Sequence, residues 1–227
     1  MRSKLQQFIH KFFPSYAAIP LIIVVAVNML CYSGSRLIAA PWAIDVLSPL
    51  DKMIPVINGT VWIYLGCYLF WIFNYIRICK ESPEISIRFC VSEVVSKLIC
   101  GLFFVLLPTF RIRPEVLGTG LSADLLRLVY TVDAATNLFP SIHCLVSWFC
   151  FRGLLWCPSS TKTFRIFSLI AAILVFISTV TTAQHVLLDI VGGVLVAEIG
   201  ILIADKTGLW KCVYKKAFLR KESPSHG

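Results

Sequence analysis

His185 and Asp189 have the spacing of a catalytic pair. They lie four positions apart at the start of an apolar run, so on a helix both side chains project from one face. A carboxylate beside an imidazole fixes the tautomer of the ring and stabilises its cationic form, which a histidine acquires when it attacks phosphorus. A structural hydrogen bond at a helix end would have the same spacing, so this pair by itself leaves both interpretations open.

A second group of residues, Pro140-Ser141-Ile142-His143, opens another apolar run. Proline suits the first turn of a helix, and Ser141 with the free backbone N–H groups of that turn can bind an anion. His143 would then lie beside the anion, where a general acid for a leaving oxygen belongs. The alternative is a plain helix cap followed by a histidine at the membrane interface.

Two arginines, Arg111 and Arg113, follow a third apolar run and precede Pro114. A loop arginine is often simply solvated. A guanidinium is also the side chain best shaped to hold phosphate oxygens. We therefore take Arg113, Ser141 and Arg111 as candidate phosphate ligands.

The composition says what kind of element must position these residues. Of the 227 residues, 58% are hydrophobic and only 15% are charged, and the mean hydropathy is +0.81. A soluble domain averages nearer 45–50% apolar and about 25% charged residues. The sequence therefore predicts an all-α membrane protein.

Six apolar runs are long enough to cross about 30 Å of hydrocarbon, which takes about 20 helical residues. They predict a bundle of six transmembrane helices, forming one membrane domain at 16–205 between a basic segment at 1–15 and a basic tail at 206–227. The six runs are 16–34, 56–76, 90–110, 139–157, 166–182 and 185–204.

The distribution of basic residues predicts the orientation. Of the 21 Lys and Arg residues, fifteen fall on the side of the two termini, five on the other side, and Lys97 lies inside a span. The positive-inside rule then places both termini in the cytoplasm and all three candidate motifs at the non-cytoplasmic face. The net charge of +9 fits this topology and anionic lipids, so we expect no nucleic-acid partner.

The nine cysteines include no CxxC pair, and most lie in apolar runs. Cysteine in such surroundings behaves as a small hydrophobic residue. We predict no metal site, no cofactor and no disulfide framework.

Taken together, the three motifs resemble those of the type 2 phosphatidic acid phosphatase (PAP2) superfamily, whose core is a six-helix bundle. Arg113-Pro114, Pro140-Ser141-Ile142-His143, and Ser178 with His185 and Asp189 match the three family motifs. The resemblance implies that His185 is the nucleophile that becomes phosphohistidine and that Asp189 orients it. It also implies that His143 protonates the leaving group, while Arg113 and Ser141 hold the phosphoryl oxygens.

Two family cations are missing. The lysine of the first motif would fall at Leu106, and the arginine of the third motif falls at Thr179. A phosphomonoester brings nearly two negative charges and a phosphodiester only one, so the depleted site could favour a phosphodiester. Arg111 or Arg127 could instead supply the missing charge.

Three functions follow from this pattern. The first is a lipid phosphatase at the outer leaflet, working through a phosphohistidine. The second is a headgroup transferase, similar to sphingomyelin and inositol-phosphorylceramide synthases, with a lipid alcohol as the acceptor. The third is a degenerate relative that binds or moves lipid. The substrate would be a lipid phosphate or phospholipid, and the compact chain is typical of a bacterial inner membrane protein.

Four charged residues outside the motifs also carry expectations. Asp133 is expected to cap a turn or to orient Arg113. Glu93 and Lys97, four apart on one span, are expected to pair with each other. Glu198 needs a partner in the membrane, and Lys97 is a candidate for that role as well.

Overall fold

The computed structural model describes residues 13–37 and 42–219. The predicted segment at 1–15 and the predicted tail at 206–227 lie partly outside the described residues. The helices are α1 (Ser15–Ser35), α2 (Val61–Cys79), α3 (Pro83–Leu106), α4 (Leu121–Val132), α5 (Ile142–Leu155), α6 (Lys162–Thr181), α7 (Leu187–Lys206) and α8 (Leu209–Tyr214).

Five of these helical segments are long and apolar enough to cross a membrane: Ser15–Ser35, Asn58–Cys79, Pro83–Leu106, Lys162–Thr181 and Leu187–Lys206. The prediction of an all-α membrane protein is therefore confirmed. The sixth predicted span corresponds to α5, which has 14 residues and is about 21 Å long at 1.5 Å per residue. The count of six spans and the cytoplasmic location of the termini stay predictions.

The third span begins and ends earlier than the predicted 90–110. Ser82 caps α3 by accepting a hydrogen bond from the backbone N–H of Ile85, and Pro83 occupies the first turn. The helix ends at Leu106 because Leu107 precedes Pro108, and a residue before proline is disfavoured in the helical conformation.

Close packing of the helices depends on small residues. Helix α1 packs on α3, α3 packs on α7, and α5 packs on α6 and α7. A Cβ added at Gly101 would lie 2.7 Å from Cys31 Sγ, and one at Gly193 would lie 2.6 Å from the carbonyl oxygen of Ser141. These glycines let neighbouring backbones approach closely, as is typical of membrane helices.

The segment between α3 and α5 carries the first motif and holds the second in place. Ile44–Asp45 (β1) pairs in parallel with Thr109–Phe110 (β2). The hydroxyl of Thr109 accepts hydrogen bonds from the backbone N–H groups of Leu138 and Phe139, at 3.0 and 2.9 Å. The start of α5 is thereby fixed relative to the end of α3.

Helix α4 was not predicted. It is amphipathic, and Ala123, Leu126 and Val129 on its inner face pack against Val61 and Tyr64 of α2. Twelve residues are too few to span a bilayer, so a search for long apolar runs passes over such a helix.

The acidic residues inside the spans have partners. Lys97 Nζ lies 2.7 Å from Glu93 Oε1, which confirms the predicted pair. Glu198 instead accepts hydrogen bonds from Arg152 Nε and Trp148 Nε1, both at 2.6 Å. Lys97 as a partner for Glu198 was therefore wrong, because Arg152 on α5 reaches that carboxylate from the facing helix.

Candidate active site

The third motif places His185 against Asp189 at the start of α7. Asp189 is fully buried, and its Oδ2 accepts a hydrogen bond from the backbone N–H of Val186 at 2.9 Å and faces His185 Nδ1 at 3.1 Å. A carboxylate at Nδ1 favours the tautomer with the proton on that nitrogen. The lone pair is then on Nε2, which is the state a nucleophilic imidazole requires.

A backbone hydrogen bond joins the second motif to the third. Ser141 caps α5 by accepting from the N–H of Cys144 at 3.3 Å, while its own N–H donates to the carbonyl oxygen of Asp189 at 3.1 Å. The rings of His143 and His185 are 5.7 Å apart between centroids. The structure thus brings together four of the predicted site residues: Ser141, His143, His185 and Asp189.

Both histidines line one cavity of about 500 Å³. His143 stacks on Tyr64 at a centroid distance of 4.6 Å and lies 5.4 Å from the ring of Trp71. Its Nε2 is buried and has no hydrogen-bond partner within the described part of the chain. A buried polar atom without a partner costs stability. In His143 this atom belongs to a ring that packs against Tyr64 and Trp71 in the wall of the cavity.

The two predicted arginines of the first motif flank the site. Arg111 Nη1 donates to the carbonyl oxygen of His185 at 2.9 Å. Arg113 donates to the carbonyl oxygen of Asp133 at 2.5 Å and to Gln184 Oε1 at 2.6 Å. Neither guanidinium is among the residues that line the cavity. Both donate to the 182–186 turn that carries His185, and their role as phosphate ligands stays a prediction.

Burial affects the electrostatics of both arginines. It lowers the pKa of the Arg111 guanidinium, while Tyr130 and Asp51 act in the opposite direction. It also lowers the pKa of Arg113, with Asp133 opposing it. Desolvated guanidinium groups interact strongly with a nearby anion because little water screens them.

The positions of the missing cations are occupied by side chains that cannot replace them. Leu106 is largely exposed at the end of α3. Thr179 is buried, and its hydroxyl donates to the carbonyl oxygen of Phe176 at 2.7 Å. Arg127 binds Asp124 at 2.8 Å and the carbonyl oxygen of Gly118 at 2.6 Å, and it does not line the cavity.

The cavity does contain a cation that the sequence analysis missed. Arg36, directly after α1, is the only Lys or Arg among the described residues that line it. Its Nη2 donates to Asp133 Oδ1 at 2.8 Å and to the hydroxyl of Tyr32 at 2.6 Å. A signal for it existed, since Tyr32 and Arg36 are four apart at the C-terminal end of the first span.

The expected role of Asp133 needs correction. Its carboxylate neither caps a turn nor orients Arg113, which binds its backbone oxygen instead; the carboxylate pairs with Arg36. Burial by itself would raise the pKa of Asp133, but the hydrogen bonds from Tyr32 and Arg36 outweigh it, so the pKa lies below its usual value. The Asp133 carboxylate is therefore ionised and balances the charge of Arg36.

Comparison with protein families gives one match. The model of the PAP2 superfamily matches residues 58–203, a stretch that runs from the start of α2 into α7 and contains all three motifs. Neither the curated proteins nor the solved structures gave a match to the chain. Because the matched stretch covers more than half of the sequence, the chain belongs to the PAP2 superfamily.

Proposed function

We propose that this protein is a lipid phosphatase that removes the phosphoryl group of a lipid phosphate through a phosphohistidine at His185. Membership of the superfamily supports a membrane lipid enzyme of the phosphatase or phosphotransferase type. The observation that carries the finer proposal is the pair of histidine rings 5.7 Å apart across one cavity. One of them is oriented by a buried carboxylate, and the other has a ring nitrogen with no hydrogen-bond partner among the residues that the structure describes.

The first step forms a bond between His185 Nε2 and phosphorus and breaks the bond from phosphorus to the lipid oxygen. A protonated His143 gives its proton to that leaving oxygen, so the lipid departs as an alcohol. Asp189 stabilises the positive charge that develops on the His185 ring. In the second step water attacks phosphorus, His143 takes the proton of the water, and the electron pair of the P–N bond returns to Nε2.

The phosphoryl oxygens have donors within reach of this chemistry. The N-terminus of α5, capped by Ser141, presents backbone N–H groups beside His143, and helix N-termini stabilise anions. Preorganised donors of this kind stabilise the charge of the transition state without a metal ion. Arg113 and Arg111 would act on the same charge from the 182–186 turn that they brace.

The test is turnover of a panel of lipid phosphates by the purified protein, with inorganic phosphate as the readout. We expect His185→Ala to abolish phosphate release and to leave no acid-labile phosphoenzyme after rapid quenching. Arg127→Lys, at an exposed ion pair away from the cavity, is the matched control and should keep full activity. Full turnover by His185→Ala would contradict the proposal.

A second candidate is transfer of a phospho-headgroup to a lipid alcohol. It is favoured by the charge of the cavity, because Arg36, the one Lys or Arg that lines it within the described ranges, is paired with the carboxylate of Asp133. A phosphodiester, with a single negative charge, suits such a site better than a phosphomonoester. Incubation with a headgroup-labelled phospholipid separates the two, since transfer gives a new labelled lipid and hydrolysis gives a water-soluble product.

A further inference from the structure

The guanidinium of Arg36 has donors that nothing in the described part of the chain uses. An arginine side chain carries five N–H donors, and within the described residues the hydrogen bonds of Arg36 all run through Nη2. That nitrogen donates to the Tyr32 hydroxyl at 2.6 Å, to Asp133 Oδ1 at 2.8 Å and to the carbonyl oxygen of Ala134 at 3.1 Å. The side chain is 27% exposed. The two N–H donors of Nη1 therefore remain for a ligand.

Contacts with the segment before α5 hold Arg36 near the two histidines. Asn137 Nδ2 donates to Ser35 Oγ at 2.8 Å, which ties the end of α1 to the stretch that leads into the second motif. Arg36 and both histidines line the same cavity of about 500 Å³. Burial raises the pKa of the Asp133 carboxyl, while the hydrogen bonds that it accepts and the charge of His143 lower it. The pair of Arg36 and Asp133 is therefore within electrostatic reach of His143.

No other lysine or arginine of the described residues has a comparable position. Arg111, Arg113 and Arg127 donate to oxygen atoms of the protein itself, and none of the three lines the cavity. A phosphoryl group between the histidines would thus meet a single guanidinium in the described part of the cavity wall. That guanidinium belongs to a residue that precedes the stretch matched by the superfamily model.

We propose that Arg36 binds the phosphoryl group of the lipid substrate through Nη1, and so supplies a charge that the family motifs lack in this chain at Leu106 and Thr179. A guanidinium suits this role because it is planar, always charged and shaped to hold phosphate oxygens. Neutralising those oxygens stabilises the transition state of phosphoryl transfer. Asp133 holds Arg36 through Nη2, but its own charge repels the phosphate. This role rests on the proposed function in one respect, since the bound phosphoryl group is the one that His185 attacks.

Steady-state kinetics on the best lipid phosphate of the panel test this role, because a phosphate ligand and its counter-charge should change kcat/KM in opposite directions. Arg36→Gln should lower kcat/KM about tenfold, the effect of losing one hydrogen bond to a charged group. Arg36→Lys keeps the charge and should fall between Arg36→Gln and the wild type. Asp133→Asn keeps an oxygen as acceptor and removes the negative charge, so kcat/KM should rise about threefold.

Two controls make the same changes of charge away from the cavity. Arg127→Gln and Asp124→Asn alter an exposed ion pair, and both should keep the wild-type kcat/KM. A purely structural role of the contact between Arg36 and Asp133 predicts lower thermal stability and lower turnover in both Arg36→Gln and Asp133→Asn. Loss of turnover in both variants, or a wild-type kcat/KM in Arg36→Gln, would overturn the proposal.

Binding of inorganic phosphate to His185→Ala, measured by titration calorimetry, separates the role of Arg36 from the proposed chemistry. Inorganic phosphate has no lipid tail, and this variant cannot form a phosphohistidine at position 185, so the Kd reports the phosphate site alone. Adding Arg36→Gln should weaken this binding about tenfold. Such weakening, together with no turnover by the wild type, would sustain the role of Arg36 and contradict the phosphatase. Turnover that depends on His185, with phosphate binding that Arg36→Gln leaves unchanged, would overturn the role of Arg36 alone.

Discussion

Asp189 is the residue whose contacts connect the motifs most directly. Its carboxylate holds His185 and caps the first turn of α7, while its backbone oxygen receives the N–H of Ser141. The same residue therefore favours one tautomer of His185 and joins it to the start of the helix that carries His143. A substitution that removes the carboxylate charge of Asp189 but keeps its backbone hydrogen bond to Ser141 would separate these two roles.

We expect Asp189→Asn to lower kcat on the order of 10³-fold with little change in KM. An amide can donate to His185 Nδ1, which would move the ring proton to Nε2 and remove the attacking lone pair. Initial rates on the best substrate of the lipid panel give both constants. Asp124→Asn, at an exposed ion pair with Arg127, is the control, and a kcat within twofold of wild type in Asp189→Asn would refute the assigned role.

At the scale of elements, the site depends on how closely α5 approaches α7. Gly193 allows this approach, since a Cβ there would lie 2.6 Å from the Ser141 carbonyl oxygen and 3.0 Å from Cys144 Cβ. Displacing backbone atoms at the start of a helix costs free energy. The small residue thus lets the start of α5, which carries His143, approach the segment that carries His185.

Gly193→Ala should lower the free energy of unfolding by about 1–3 kcal/mol, the usual effect of overpacking, and should reduce turnover by displacing α5. Gly66→Ala in α2 is the matched control, because nothing lies within 4 Å of its added Cβ. Alanine there should be neutral or stabilising by up to about 1 kcal/mol. Thermal unfolding in detergent measures the change in stability, and phosphate release measures the change in turnover. If Gly193→Ala is as stable as Gly66→Ala, the close contact at Gly193 does not affect stability.

At the scale of the whole molecule, α1 contributes part of the wall of the cavity. It lies before the stretch that the superfamily model matches, yet it supplies Asn28, Tyr32 and Met29 to the cavity wall, and Arg36 follows directly after it. The three motifs lie in the stretch that the superfamily model matches. Arg36 and part of the cavity wall beside them come from a segment before that stretch.

The orientation of the molecule can be tested with a native cysteine. Among the nine cysteines, Cys212 in α8 is the exposed one, while the others are buried or partly buried. If both termini are cytoplasmic, a membrane-impermeant maleimide should label Cys212 only after the membrane is permeabilised. A cysteine introduced by Glu115→Cys, in the loop before α4, should react in intact cells, and labelling of Cys212 in intact cells would reverse the topology.

The sequence by itself determined the class of protein and named the candidate site residues, whose catalytic roles stay predictions. The excess of apolar residues requires a bilayer. The four-residue spacing of His185 and Asp189 predicted their contact, although His185 lies two residues before α7 and reaches Asp189 across the first turn of that helix. The cap formed by Ser141 follows from local chemistry in the same way. These features depend on residues near each other in the chain.

Only the tertiary structure decided which charges surround the reacting histidines. Asp133 pairs with Arg36, 97 positions away, and Arg113 binds Gln184, 71 positions away. Glu198 pairs with Arg152 for the same reason. Long side chains choose partners according to which helices pack together, and no local pattern encodes that choice. The absence of cations at Leu106 and Thr179 was evident from the sequence, whereas the presence of Arg36 in the cavity depended on α1 packing against α3.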